Sequence, residues 1–128
     1  MRLPATPART GSAFVEVSRR HGDFALVGVA ATVSLDEAGV CTGSAVALTG
    51  VGPMPVVARD AARALVGVRP NAKAIEEVGA RVAAGVEPDS DLHASSEFRK
   101  HLAGVLTRRA LAQAAERAAG TKGRETAR

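Results

Sequence analysis

The 128-residue sequence contains no tryptophan, no tyrosine and only three phenylalanines. That scarcity excludes the aromatic stacking platforms on which single-strand nucleic-acid binders rely. A single cysteine, Cys41, excludes an internal disulfide and any Cys-built zinc or iron–sulfur site within the chain. No apolar run approaches the roughly 20 residues that span a bilayer. Met1 to Arg9 lack the apolar stretch of a secretory signal, so the cytoplasm is the expected compartment. Catalytic vocabulary is equally thin. His21, His93 and His101 have no HxxxH or HExxH spacing, and Ser12 and Ser44 sit in no G-x-S-x-G turn. Gly50-Val51-Gly52 runs into Pro53 rather than a Gly-rich helix start, which excludes a dinucleotide fingerprint. The sequence offers no candidate catalytic residue and no metal ligand.

What is abundant is small and aliphatic: 27 alanines and 16 valines within a 46% apolar composition. This length suits one domain, which buries about two-thirds of its unfolded surface and needs no staple. Net charge is +4 but unevenly placed. Residues 1–20 carry a net +3, residues 21–97 hold five basic against ten acidic side chains, and residues 98–128 hold eight basic against two acidic. A mildly acidic body therefore has two basic ends.

Pro4 and Pro7 predict an extended lead-in over residues 1–13. Phe14 to Asp23 show no clean period and read as a turn or loop carrying Arg19, Arg20, His21 and Asp23. Residues 1–23 are thus a lead-in and Arg-rich loop, 24–119 the folded domain, and 120–128 a polar tail. From Phe24 to Leu35 the pattern alternates, with Ala25, Val27, Val29, Ala31, Val33 and Leu35 on one face. Asp36-Glu37-Ala38-Gly39 suits a hairpin, Val40 to Val51 its partner strand, and Val56 to Ala58 a short edge strand beside prolines. Three helices follow. Arg59 to Val66 stops at Gly67. Asn71 caps a helix to about Ala84 with stripe Ile75, Val78, Gly79, Val82 and Val86. Ser95 or Ser96 caps a third helix to about Ala119, with Phe98, Leu102, Val105, Leu106 and Ala112 on its stripe and Arg109 near the middle. Strands first and helices second make an α+β fold, with helices packed on one face of a small sheet. The other face is left uncovered and reads as a docking surface.

Two segments carry more than fold. In Phe14–Ala25, adjacent Arg19 and Arg20 precede Gly22-Asp23 at the mouth of a buried strand. They form either a solvated basic turn or a loop presenting arginine to an anionic ligand. In Asp91–Leu111, an amphipathic helix explains most positions, and Arg109 either pairs with a carboxylate or reaches a partner. The runs "SAFVEVSRRHGDFALVGVAATV" and "DLHASSEFRKHLAGVLTRRAL", with "LTGVGPMPVVARDAARALVG" between them, resemble one family. It is the C-terminal domain of the FAD-binding (medium) subunit of the carbon monoxide dehydrogenase/xanthine dehydrogenase group of molybdenum hydroxylases. The likeness runs from about Arg2 to Leu111.

That resemblance implies three or four antiparallel strands followed by three helices. It implies FAD as the cofactor of the intact subunit, with electrons reaching it from molybdenum through [2Fe–2S] clusters. It places Arg19, Arg20 and Asp23 near the flavin edge, and Val15 where some relatives carry a lysine that contacts FAD. The implied partners are the FAD-binding domain of the same subunit, a molybdenum-cofactor large subunit and a 2Fe–2S small subunit, with Arg99, Arg108 and Arg109 as partner contacts. The Gly-rich loops that hold FAD in the family are absent from this sequence. The isolated chain is therefore expected to hold FAD weakly and to catalyse nothing. The competing reading is a basic-ended nucleic-acid-binding module using Arg99, Lys100, Arg108, Arg109, Lys122, Arg124 and Arg128. The acidic middle and the missing aromatics speak against it.

Overall fold

A computed structural model describes residues 9–18, 25–88 and 94–126, with the backbone alone for residues 25 and 121–126. Four strands, β1 (Thr10–Ser18), β2 (Ala25–Leu35), β3 (Cys41–Thr49) and β4 (Val56–Val57), form one antiparallel sheet in the order β1-β2-β3-β4. Helices α1 (Arg59–Arg63), α2 (Ala72–Gly85) and α3 (Ser96–Thr126) follow. α3 packs on β1 and β2, α1 packs on β3, and α2 packs on α3 and α1. The α+β order and the helix layer agree with the pattern of the sequence.

β1 departs from it. Thr10–Ser18 is a full edge strand rather than a lead-in followed by a loop. Gly11 and Ala13 are buried while Ser12, Phe14 and Glu16 are exposed, so the alternation is real. It was hidden because the largest apolar side chain, Phe14, stands on the outer face, 58% exposed. The turn after β2 forms as expected. Asp36 Oδ1 accepts from the Ala38 and Val40 amides at 2.8 and 2.9 Å, and Gly39 takes φ +85°.

The register explains the core. Val15, Val29, Leu48 and Val56 stand side by side across all four strands on the inner face. Val29 and Leu48 there are fully buried. Neither described phenylalanine enters this core, Phe98 being 45% exposed. α3 closes the inner face with Leu102, Ala103, Leu106, Ala110, Leu111, Ala114 and Ala118, all buried. This stripe is rotated from the expected one. Phe98, Ala112 and Arg109 are exposed, while Arg99 and Thr107 lie inside. The bulk of Phe98 misplaces the stripe, because alanines rather than large residues mark the true contact face. Continuing past the expected stop near Ala119, the helix reaches Thr126.

Small residues permit close approach at two points. At Gly11, an added Cβ would collide with the Ala114 carbonyl and the Ala118 amide of α3. Where α2 crosses α3, a Cβ on Gly79 would stand 2.9 Å from the Gly104 carbonyl. Asn71 Oδ1 caps α2 by accepting from Ala74 N at 2.8 Å, and Ser95 Oγ accepts from Phe98 N at 3.0 Å at the start of α3. Among the described residues, no helix is long and apolar enough to cross a membrane.

Cys41 is buried at 1% exposure, and its Sγ donates to the Gly43 carbonyl at 3.2 Å. Burial pushes the thiol pKa up, partly opposed by hydrogen bonding from the Gly43 backbone to the sulfur. The unfolded chain therefore releases the thiol proton at lower pH than the folded one. Its contribution to stability is complete below the ordinary thiol range and is lost as pH rises through and beyond it. A thiol reagent at pH 8 is expected to label native Cys41 at least tenfold more slowly than the urea-unfolded chain; equal rates would contradict the burial. Gly11→Val is expected to cost about 1–3 kcal/mol in urea unfolding, because helix backbone cannot yield to a side chain there.

Candidate functional site

The outer face of the sheet holds a second apolar row, in register with the buried one. Phe14 pairs with Ala30, Ala30 with Ala47, and Ala47 with Val57, one residue from each strand. Phe14 and Val57, at its two ends, are 58% and 57% exposed. The ring of Phe14 leans over Gly28, where an added Cβ would meet ring Cζ at 3.0 Å. That glycine is buried for this reason, and the contact holds the ring flat against the sheet. The adjoining rows, Ser12–Thr32–Ala45 and Glu16–Gly28–Thr49, add small polar groups and one charge, Glu16. An apolar row with a polar rim suits burial against another protein surface. Among the described residues nothing of this chain covers it.

One end of the sheet is locked from inside. Arg99, expected among the partner-facing cations, is only 8% exposed. Its Nη1 donates to the Leu26 carbonyl at 2.6 Å and to the Gly50 carbonyl at 3.2 Å. Gly50 has φ +83°, and a Cβ there would strike the Leu26 carbonyl, so the guanidinium closes a junction only glycine permits. A charged donor joins the start of β2 to the end of β3 where no ladder hydrogen bond reaches. The sequence showed an arginine in an amphipathic helix; nothing in the spacing distinguished this one from its exposed neighbours. Arg108 and Arg109 are exposed. The stem of Arg108 lies against Gly79 at the edge of the α2–α3 groove. Arg109 has left the apolar stripe. Arg19, Arg20 and Asp23 lie outside the described residues, between Ser18 of β1 and Ala25 of β2. The structure thus separates Arg99 from Arg108 and Arg109 by burial and by hydrogen bonding. A residue not anticipated, Arg117, donates to the Ser12 carbonyl at 2.8 Å near the far end of α3.

The model of the CO dehydrogenase flavoprotein C-terminal domain family matches residues 12–114, and the chain belongs to that family. It is 32% identical over 120 residues to the alpha subunit of the 6-hydroxypseudooxynicotine dehydrogenase complex of Paenarthrobacter nicotinovorans, covering 94% of this chain and 40% of that protein. It is likewise 32% identical over 118 residues to the carbon monoxide dehydrogenase medium chain of Afipia carboxidovorans, covering 92% and 41%. Among solved structures, carbon monoxide dehydrogenase from Hydrogenophaga pseudoflava superposes with a TM-score of 0.83 at 31% identity, over 90% of this chain and 40% of that one. Quinoline 2-oxidoreductase from Pseudomonas putida 86 gives 0.80 at 34%, over 85% and 38%. The chain spans about 40% of the length of the curated relatives it matches.

The family is a flavoprotein family, which makes FAD the group to test against these residues. The described depressions between helices and sheet edges measure about 240–350 Å³, each lined by a few side chains. Two of them touch a helix start, at Asn71 to Ala74 and at Ala58 to Ala61, but at about 240 Å³ each they are too small to take up a dinucleotide. What the described residues leave open is the outer face of the sheet. Replacing Arg99 by methionine keeps the stem and removes the two hydrogen bonds. Arg99→Met is expected to cost about 2–3 kcal/mol in chemical unfolding, read against Arg109→Met, which is expected to stay within about 0.5 kcal/mol.

Proposed function

We propose that this chain is the C-terminal domain of the FAD-binding medium subunit of a cytoplasmic molybdenum hydroxylase. The observation that carries the reading is the family match over residues 12–114, joined to a fold that superposes on carbon monoxide dehydrogenase. FAD held by the preceding domain of such a subunit accepts electrons arriving from molybdenum through [2Fe–2S] clusters and passes them to an external acceptor. The residues of this chain supply surroundings rather than chemistry. The Phe14–Ala30–Ala47–Val57 row provides the dry wall on which the FAD-binding domain rests. Arg19, Arg20 and Asp23, by resemblance, stand near the flavin edge. Guanidiniums there favour negative charge on the ring system, and a carboxylate opposes it. Arg108 and Arg109, exposed on α3, face the molybdenum and iron–sulfur subunits, where planar cations suit carboxylate partners. Alone, the chain holds no tightly bound FAD and turns over no substrate.

Co-expression with the FAD-binding domain of a related medium subunit is expected to give a stable yellow complex from two separately colourless or weakly coloured parts. A colourless mixture without association would overturn the assignment. Within that complex, Phe14→Glu with Val57→Glu is expected to weaken association at least tenfold, about 1.4 kcal/mol. The same pair should lower the melting of the isolated chain only modestly, since both side chains are more than half exposed. Undiminished association would remove the sheet face from the interface.

A further inference from the structure

We infer that the pocket between α1 and the open edge of β3 is an oxyanion site for a phosphate-type dianion. The pocket has a volume of about 350 Å³ and is lined by Gly43, Ser44, Val46, Arg59, Arg63 and neighbouring valines. Three features converge there.

The first is charge. Arg59 and Arg63 sit one helical turn apart on α1, where side chains four residues apart share a face. Both are exposed, and neither is in an ion pair among the described residues. No carboxylate lines the pocket; Asp60 borders a separate depression on the other side of Arg59. Two uncompensated guanidiniums in one concavity match a doubly charged oxyanion, which each can grip through paired N–H groups.

The second is the sheet edge. β4 lies beside β3 only at Ala47 and Leu48, and its last link is the Ala58 amide donating to the Val46 carbonyl at 2.9 Å. The edge is taken up again only at Cys41, whose amide donates to the Val68 carbonyl and whose carbonyl accepts from Gly67. Ser44 lies between. Strand alternation turns its N–H and C=O toward the same edge as those of Val46, and no strand opposes them there. A backbone donor is therefore presented beside the two arginines.

The third is the Ser44 hydroxyl. Its Oγ is buried and has no hydrogen-bond partner. A buried polar atom without a partner is costly and uncommon. Here it belongs to the same residue that offers the unpaired backbone donor. A bound oxyanion would account for both, with a small χ1 adjustment at Ser44.

Val46, Val57 and Val66 line the remainder of the cavity, whose volume exceeds that of an anion alone. The ligand class that fits is a phosphate monoester with a compact apolar body, or free phosphate. This site meets the outer-face row only at Val57, and it needs no flavin or second subunit.

The test is titration of the full ¹⁵N-labelled chain with sodium phosphate and, separately, phenyl phosphate at pH 7.5 and constant ionic strength. Saturable shifts are expected at the Ser44 and Ala45 amides and at the Arg59 and Arg63 Nε–H groups. Arg59→Gln with Arg63→Gln should weaken binding at least tenfold. Arg69→Gln with Arg81→Gln removes the same charge elsewhere and should leave affinity within twofold. Tighter binding of phenyl phosphate assigns the site to a monoester, and equal affinity to free phosphate. Absence of saturable shifts, or equal losses in the two double variants, would overturn the proposal.

Discussion

α3 lies against β1 and β2 so closely that the Gly11 backbone faces the backbone of Ala114 and Ala118 with no side chain between. Most of the architecture follows from that contact. It requires alanines along the inner stripe of the helix, and it leaves no room for aromatic rings in the core. The same economy recurs where Gly79 and Gly104 let α2 rest on α3. Hydrophobic stabilisation is then spread over many small groups rather than a few large ones, and interiors of this kind depend on close fit more than on bulk. The opposite face, free of the helix, carries Phe14, Glu16 and Val57 standing above small neighbours.

Regular alternation made β2 legible, since Val27, Val29, Ala31 and Val33 point one way and are all buried. The α2 stripe was legible for the same reason, and Asn71 and Gly39 announced their cap and turn. β1 was not, because its exposed Phe14 inverts the usual rule that the largest apolar residue faces inward. α3 misled in the same way. A contact face built from alanine gives a weak periodic signal, and Phe98 drew the stripe toward solvent. The three arginines of that segment looked alike in sequence. Only tertiary structure shows that Arg99 meets the Leu26 and Gly50 carbonyls while Arg108 and Arg109 stay outside. The family itself was legible from two motif-bearing runs, because such runs preserve local detail that composition averages away.

The distribution of charge takes on a different meaning once the fold is known. Among the described residues, the arginines of α3 do not form one uniform patch. Arg99 is internal, Arg117 is tied to β1, and Arg108 lies along the helix groove. Such dispersal does not build the continuous basic track that a nucleic-acid backbone requires. The internal cations serve separate contacts within the chain. The part of the sequence with the plainest chemistry, the Arg-Arg segment, lies between the two strands on which α3 packs.

Arg99 and Arg117 sit 18 residues apart on α3, about 27 Å along the helix axis, and each donates to main-chain carbonyls of the sheet below. The helix is thus tied to the sheet in its first turn and again well along its length, short of its end at Thr126. A rod fastened in this way can neither slide along the strands nor roll over them without breaking a tie. Load placed on its outer surface is therefore shared with β1 and β2 through these carbonyl contacts as well as through the apolar stripe.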